Sequence, residues 1–151
     1  MATRSHTHSI DLPAPPERVF ALFVTPSAVR GWWSAGRAII VPEPGGTWAA
    51  AWGDEDAPDY VSIFRIREYD PPRRIVFADG VYRAKSGPLP FEAAFVTTFA
   101  VAPAAGGSRL TVVQEGFPGD AVADAFYAAC EKGWHDTFEG IRRYLAEAGD
   151  R

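Results

Sequence analysis

The sequence predicts an α+β fold in which a curved antiparallel β-sheet wraps around one long C-terminal α-helix. Two short helices follow the first strand. Three observations carry this expectation. Residues 120–148 hold large side chains at Val122, Phe126, Cys130, Trp134, Phe138, Ile141 and Leu145, in steps of three and four that form one stripe of a helix. From residue 37 to residue 115 the apolar residues alternate instead, which is the period of strands. Between the first alternating segment and the rest lie two proline-initiated stretches too short for anything but single helical turns. One helix is about 10–12 Å across. Several strands at about 4.8 Å each are wider, so the sheet must curl to be covered. Curling leaves room for a cavity lined by aromatic side chains, the kind of place a small apolar ligand occupies.

The elements follow in order. Residues 6–12 (HTHSIDL) alternate and end at a proline cluster, giving a first strand. Pro16 suits the first turn of a helix and Glu17 its positive dipole end, with Val19, Phe20, Phe23 and Val24 as the apolar face. Thr25-Pro26 repeats the device for a second short helix, which reaches Trp32-Trp33. Residues 37–41 and 46–52 form an extended pair, and residues 54–59 (DEDAPD) an acidic loop. Along residues 60–69, Tyr60, Ser62, Phe64 and Ile66 share one face, opposite Arg65 and Arg67, so the aromatic face is expected inward. After a turn at residues 70–72 comes a strand at 73–78 with Ile75 and Phe77 inward. Residues 84–90 read as loop. Residues 92–101 read as a strand with Phe95, Thr97, Phe99 and Val101 on one face, and residues 109–115 as the last strand. Asp120 is the expected N-cap of the long helix.

Bulk composition narrows the function. The chain of 151 residues is one domain, 47% hydrophobic and 13% aromatic, with five tryptophans. A formal charge of −4 provides no basic field for nucleic acid or an anionic membrane. The one cysteine, Cys130, excludes an intrachain disulfide and a cysteine-rich zinc site. The first residues lack an apolar signal region and no segment approaches 18 apolar residues, so the expected location is the cytoplasm.

Six pieces of the sequence, in order, resemble one family. They are residues 14–20 (APPERVF), Thr25-Pro26 with Trp32-Trp33, Gly45-Gly46-Thr47-Trp48, residues 68–77 (EYDPPRRIVF), residues 109–117 (RLTVVQEGF), and Gly133-Trp134 with Phe138, Ile141 and Leu145 downstream. Together they resemble the START-like (SRPBCC) superfamily, and more narrowly the C-terminal domain of activator of Hsp90 ATPase homologue 1-like proteins. The resemblance spans residues 9–145. It implies the helix-grip (START/Bet v 1-like) fold for residues 1–151 as a single domain. The superfamily hosts ligand carriers, cyclases, oxygenase domains and co-chaperones, so the resemblance speaks to fold more than to activity.

The expected ligand-binding residues are the inward rings Tyr60, Phe64, Phe77, Phe95, Phe126, Trp134 and Phe138, joined by Thr97, Gln114 and Cys130. For any one ring, plain core packing is the simpler role. Gln114 continues the inward face of Leu110 and Val112, and a buried amide left unpaired costs about 1–3 kcal/mol; Tyr60, a ligand or a water is its expected partner. His6 and His8 lie on one face of the first strand without a third metal ligand, so solvated edge histidines are expected and no metal or cofactor is. Cys130 has no flanking cation to activate it. The expected function is therefore non-catalytic binding of a small apolar or aromatic molecule by a monomer or small homodimer. Two alternatives stand beside it. One is a cyclase- or hydrolase-like enzyme, which requires Glu115, His135 or Tyr60 to enter the cavity. The other is a co-chaperone-like module that contacts a protein.

Overall fold

The computed structural model describes residues 2–149. Seven antiparallel strands form one open sheet: β1 (Thr3–Leu12), β2 (Arg37–Ile40), β3 (Thr47–Gly53), β4 (Pro58–Asp70), β5 (Arg74–Ala84), β6 (Val96–Ala104) and β7 (Gly107–Pro118). Their order across the sheet is β1-β7-β6-β5-β4-β3-β2, so the two edges are the first two strands. Helices α1 (Pro16–Ala21) and α2 (Pro26–Trp32) make the connection between those edges. Helix α3 (Asp124–Gly149) lies along the concave face. The helix-grip architecture expected from the sequence is the one observed.

One end of the concave face is sealed. Val19, Phe20, Phe23, Val29 and Trp32 of the α1–α2 region are at most 4% exposed, and they pack with Phe99, Leu110, Ile141 and Leu145 into a single core. The tryptophans there also close the polar account of the helix ends. Trp32 Nε1–H donates to the carbonyl of Leu22 (2.8 Å), Trp48 Nε1–H to that of Phe23 (2.9 Å), and Trp52 Nε1–H to that of Trp33 (3.0 Å). Carbonyls at the end of a helix have no partner within it, and here indoles from neighbouring elements supply one.

The other end opens because β5 and β6 part company. They pair only from Arg74–Ala100 to Phe77–Thr97, whereas β5 continues to Ala84 on the β4 side alone. Lys85 N–H still bonds the Asp59 carbonyl and Gly87 bridges back to Ala84, and residues 88–95 then cross the resulting gap outside any strand.

Several local expectations are corrected. β5 runs six residues past Ala78: the Asp79-Gly80 pair, which has the composition of a turn, sits opposite Phe64 as a β-bulge with Asp79 at φ 52°. Phe95 lies just before β6, which begins at Val96. Asp120 caps a single 3₁₀ turn (Ala121–Ala123) without a side-chain hydrogen bond, and α3 starts four residues later. Val122 consequently leaves the stripe and is 49% exposed. Thr25 occupies the N-cap of α2 but makes no side-chain bond there.

Candidate functional site

At the open end, β3–β7 and α3 enclose a cavity of about 340 Å³. Its wall is chiefly aromatic. Of the residues expected from the sequence, Phe64, Phe77, Phe95 and Phe126 line it, together with Trp134, Thr97, Gln114 and Cys130. Phe126, near the start of α3, meets Phe91, Phe95 and Phe117 at centroid distances of 5.7, 5.7 and 6.1 Å, which ties residues 85–95 and β7 to the helix. Trp134 stands where cavity and core meet, with Phe99 at 5.8 Å and Phe138 at 5.8 Å.

Two expected residues lie elsewhere. Tyr60 shares the face of Ser62 and Phe64, but it sits beyond the cavity wall, 48% exposed and stacked on Tyr82 at 6.2 Å. Phe138 is buried behind Trp134 and lines no part of the cavity. The cavity also draws on residues outside the expected set: Trp33, Trp48, Trp52, Tyr82 and Phe117, with Phe99. Trp48 and Trp52 alternate with Ala50 and were legible as one face of a strand. Tyr82 was hidden by the bulge, and Phe117 by Gly116 at positive φ (92°) before it.

The polar groups of the wall are few and neutral. Gln114 and Thr97 pair across β7 and β6 and thus share one patch of the inner face. Trp134 Nε1–H donates to Gln114 Oε1 at 2.8 Å, so the amide is held by an indole rather than by Tyr60. Ser62, Tyr82 and Cys130 complete the set. Burial pushes the Cys130 thiol up to about 11, which keeps it protonated. The Tyr82 hydroxyl is raised as well, by burial first and by the neighbouring Tyr60 and Cys130 next. Among the described residues, no carboxylate, histidine, lysine or arginine lines the cavity. Glu115, His135 and Tyr60, the residues an acid–base mechanism required, all lie outside it.

A second cluster lies under α3 against the edge strand β1. His6 is 6% exposed and His8 is partly buried, so they are not solvated. Their rings share a hydrogen bond between His6 Nδ1 and His8 Nε2 at 2.9 Å, which requires one of the two to be neutral. His6 also packs against Phe117 and Tyr127 (5.0 and 5.2 Å), and His8 against His135 (5.9 Å). Burial lowers the pKa of both. The neighbouring histidine adds to the shift in each case (His8 for His6, His135 for His8), and Glu131 opposes it. Among the described residues, no group of three or more histidines, cysteines or carboxylates is arranged to hold a metal ion.

This geometry can be set beside known proteins. The model of the activator of Hsp90 ATPase homolog 1-like protein family matches residues 13–146. The chain belongs to that family. Solved structures agree on the fold. A Mesorhizobium loti protein, MLL2253, superposes with a TM-score of 0.76 at 19% identity, covering 95% of this chain and 98% of that one. An uncharacterized Rhizobium leguminosarum protein gives 0.77 at 21%, covering 97% and 96%. DynU16, described as a protein in the dynemicin biosynthetic locus, gives 0.74 at 20%, with 94% of this chain covering 47% of that one. A search of curated proteins returned no significant match. The family member described here thus has the family's fold, with an aromatic cavity at one end.

Proposed function

We propose that this family member is a binding protein for a small apolar, aromatic molecule held between the sheet and α3. The observation that carries the reading is the cavity itself: about 340 Å³, walled by rings and lacking any charged side chain. That volume falls at the lower end of the range for ligand sites, which suits a molecule of two or three rings. Burying a few hundred square ångströms of such a ligand is worth roughly 5–8 kcal/mol. After the cost of association, affinity of roughly micromolar to millimolar order follows. The enzymatic alternative has weaker support, since none of its three acid–base residues lines the cavity. No helix among the described residues is long and apolar enough to cross a membrane.

The test is native mass spectrometry of freshly purified protein, followed by titration with fluorene, a neutral three-ring hydrocarbon. Tryptophan emission is the readout, because Trp33, Trp48, Trp52 and Trp134 line the cavity. Saturable quenching is expected, with loss of binding in Cys130→Phe, which fills the cavity from α3. Equal quenching in the filled variant would overturn the placement of the ligand, and no copurified mass together with no quenching by fluorene or its ketone 9-fluorenone would overturn the binding reading.

A further inference from the structure

The polarity of Gln114, a polar group held fixed in the cavity wall, specifies the ligand further. Indole Nε1–H is a donor and has no acceptor capacity. Whichever atom of Gln114 it meets must therefore be the carbonyl oxygen, and the structure has that bond at 2.8 Å. The same bond fixes the other end of the amide as NH₂. Among the described residues, Gln114 Nε2 has no hydrogen-bond partner within the protein, and it is not among the sealed, unpaired buried atoms. It belongs to a residue that lines the cavity, so open space is left for a partner. Ser62, Thr97 and Tyr82 carry hydroxyls, which donate or accept as required. Gln114 Nε2 has a set sense, and it can only donate, as can the indole N–H of Trp33 in the same wall. Thr97, paired with it across the strands, adds an adaptable hydroxyl to the same patch.

Charge gives the second half of the argument. A carboxylate or ammonium group on the ligand would be desolvated among rings with no counterion, since no charged partner of either sign lines the wall. The two titratable wall groups, Tyr82 and Cys130, stay neutral near pH 7.

Resting on the binding function proposed above, we infer that the ligand is an uncharged aromatic molecule bearing a carbonyl-type acceptor, received by Gln114 Nε2–H beside Thr97. A ketone, quinone or lactone on a fused ring system has this chemistry. An unadorned hydrocarbon leaves the NH₂ group dry and unpaired, and an aromatic acid brings an uncompensated charge.

Three probes with one ring skeleton test this: fluorene, 9-fluorenone and fluorene-9-carboxylate, measured by equilibrium dialysis against the wild-type protein and Gln114→Met. Methionine preserves the shape of the side chain, removes the donor and leaves its thioether sulfur as a weak acceptor for the Trp134 indole N–H. Fluorene is the more hydrophobic of the two neutral probes, so the readout is the fluorenone-to-fluorene affinity ratio compared between proteins. A drop of about fivefold in that ratio in Gln114→Met is expected, the yield of one net hydrogen bond. Fluorene-9-carboxylate is expected to bind the wild type at least about tenfold more weakly than fluorenone, because its charge is unpaired. Fluorene binding with the same ratio in both proteins would overturn the acceptor inference and leave the binding function standing. Tight binding of the carboxylate would overturn the requirement for neutrality. Failure of all three probes to bind would overturn the binding function and this inference with it. Should Gln114→Met fold poorly, Gln114→Leu measured in the same way supplies the ratio, and the wild-type comparison of fluorenone with its carboxylate tests neutrality with no variant at all.

Discussion

Two glycines of α3 have the same chemistry and opposite surroundings, and replacing each by alanine isolates how closely α2 is pressed against the helix. A glycine inside a helix is less favourable than alanine by roughly 0.8–1 kcal/mol, because its backbone loses more freedom on folding. Gly133 lies in the middle of α3, and a Cβ built there meets nothing within 4 Å. Gly133→Ala therefore collects the full helical gain, about 1 kcal/mol, which in a domain of this size raises the melting temperature by about 2–4 °C. Gly140 lies two turns further on. A Cβ there would sit 2.6 Å from the carbonyl oxygen of Trp32, in the last turn of α2. Ordinary carbon–oxygen contacts run at about 3.3–3.6 Å, so α2 must retreat by close to 1 Å. The obstacle is main chain, which cannot swing aside as the tip of a side chain can. Overpacking of this kind costs about 1–3 kcal/mol.

The propensity gain is common to both substitutions and cancels in their difference. Thermal melts of the two variants are expected to separate by about 2–12 °C, with Gly133→Ala the more stable. Gly140→Ala should also shift tryptophan emission, because Trp33, next to Trp32, lines the cavity and accepts the Trp52 indole N–H. Equal melting temperatures for the two variants would refute the reasoning, since they would mean that α2 is not held against Gly140 at contact distance.

Two further predictions concern titratable groups. Cys130, with its thiol pushed up to about 11, should react with iodoacetamide at pH 8 about 100-fold more slowly in the native protein than in denaturant, and thiol titration over time measures this. For His6 and His8 the folded pKa lies below the ordinary value of 6.5, so the unfolded chain binds more protons as pH falls through that value. Their contribution is complete above pH 6.5 and is lost as pH drops towards the lower folded values. Urea unfolding midpoints should accordingly fall between pH 8 and pH 5.5. The fall should shrink in His6→Phe, which replaces a buried ring whose Nε2 has no partner.

How much of this was legible in the sequence depended on how local each signal was. The stripe of α3 from Phe126 to Leu145 and the inward faces of β4 and β6 follow from period alone, and the structure places Ile66, Thr97, Phe99, Val101, Ile141 and Leu145 in the interior as expected. The far half of β5 was not legible, because Asp79-Gly80 has turn composition and only its pairing opposite Phe64 makes it a bulge. That one ambiguity removed Tyr82 from the reading of the cavity. The histidines were misjudged for a different reason. β1 is indeed an edge strand, but its inner face is covered by Tyr127 and His135 of α3, and the reach of a helix over an edge is a tertiary fact.

The cavity poses the sharper question, since the same inner face is solid at one end and hollow at the other. Alternation fixes which residues point inward; it does not fix how much second-layer volume lies opposite them. At the closed end, α1 and α2 deliver Phe20, Phe23 and Trp32 against the sheet. At the open end, Trp33, Phe95 and the first turns of α3 face it, and small groups at Ser62, Thr97 and Cys130 leave space among the rings. Stability and binding should therefore separate along the one helix. Ile141, fully buried at the closed end, is expected to cost about 0.5–1.5 kcal/mol on substitution by valine, with fluorene affinity unchanged. Phe126, at the open end, is expected to cost less than about 1.5 kcal/mol on substitution by leucine while weakening fluorene several-fold, through loss of ring contacts. Paired urea melts and fluorene titrations of the two variants decide it. If both properties moved together in both, α3 would be acting as one uniformly packed element, and the division of this face into core and cavity would be wrong.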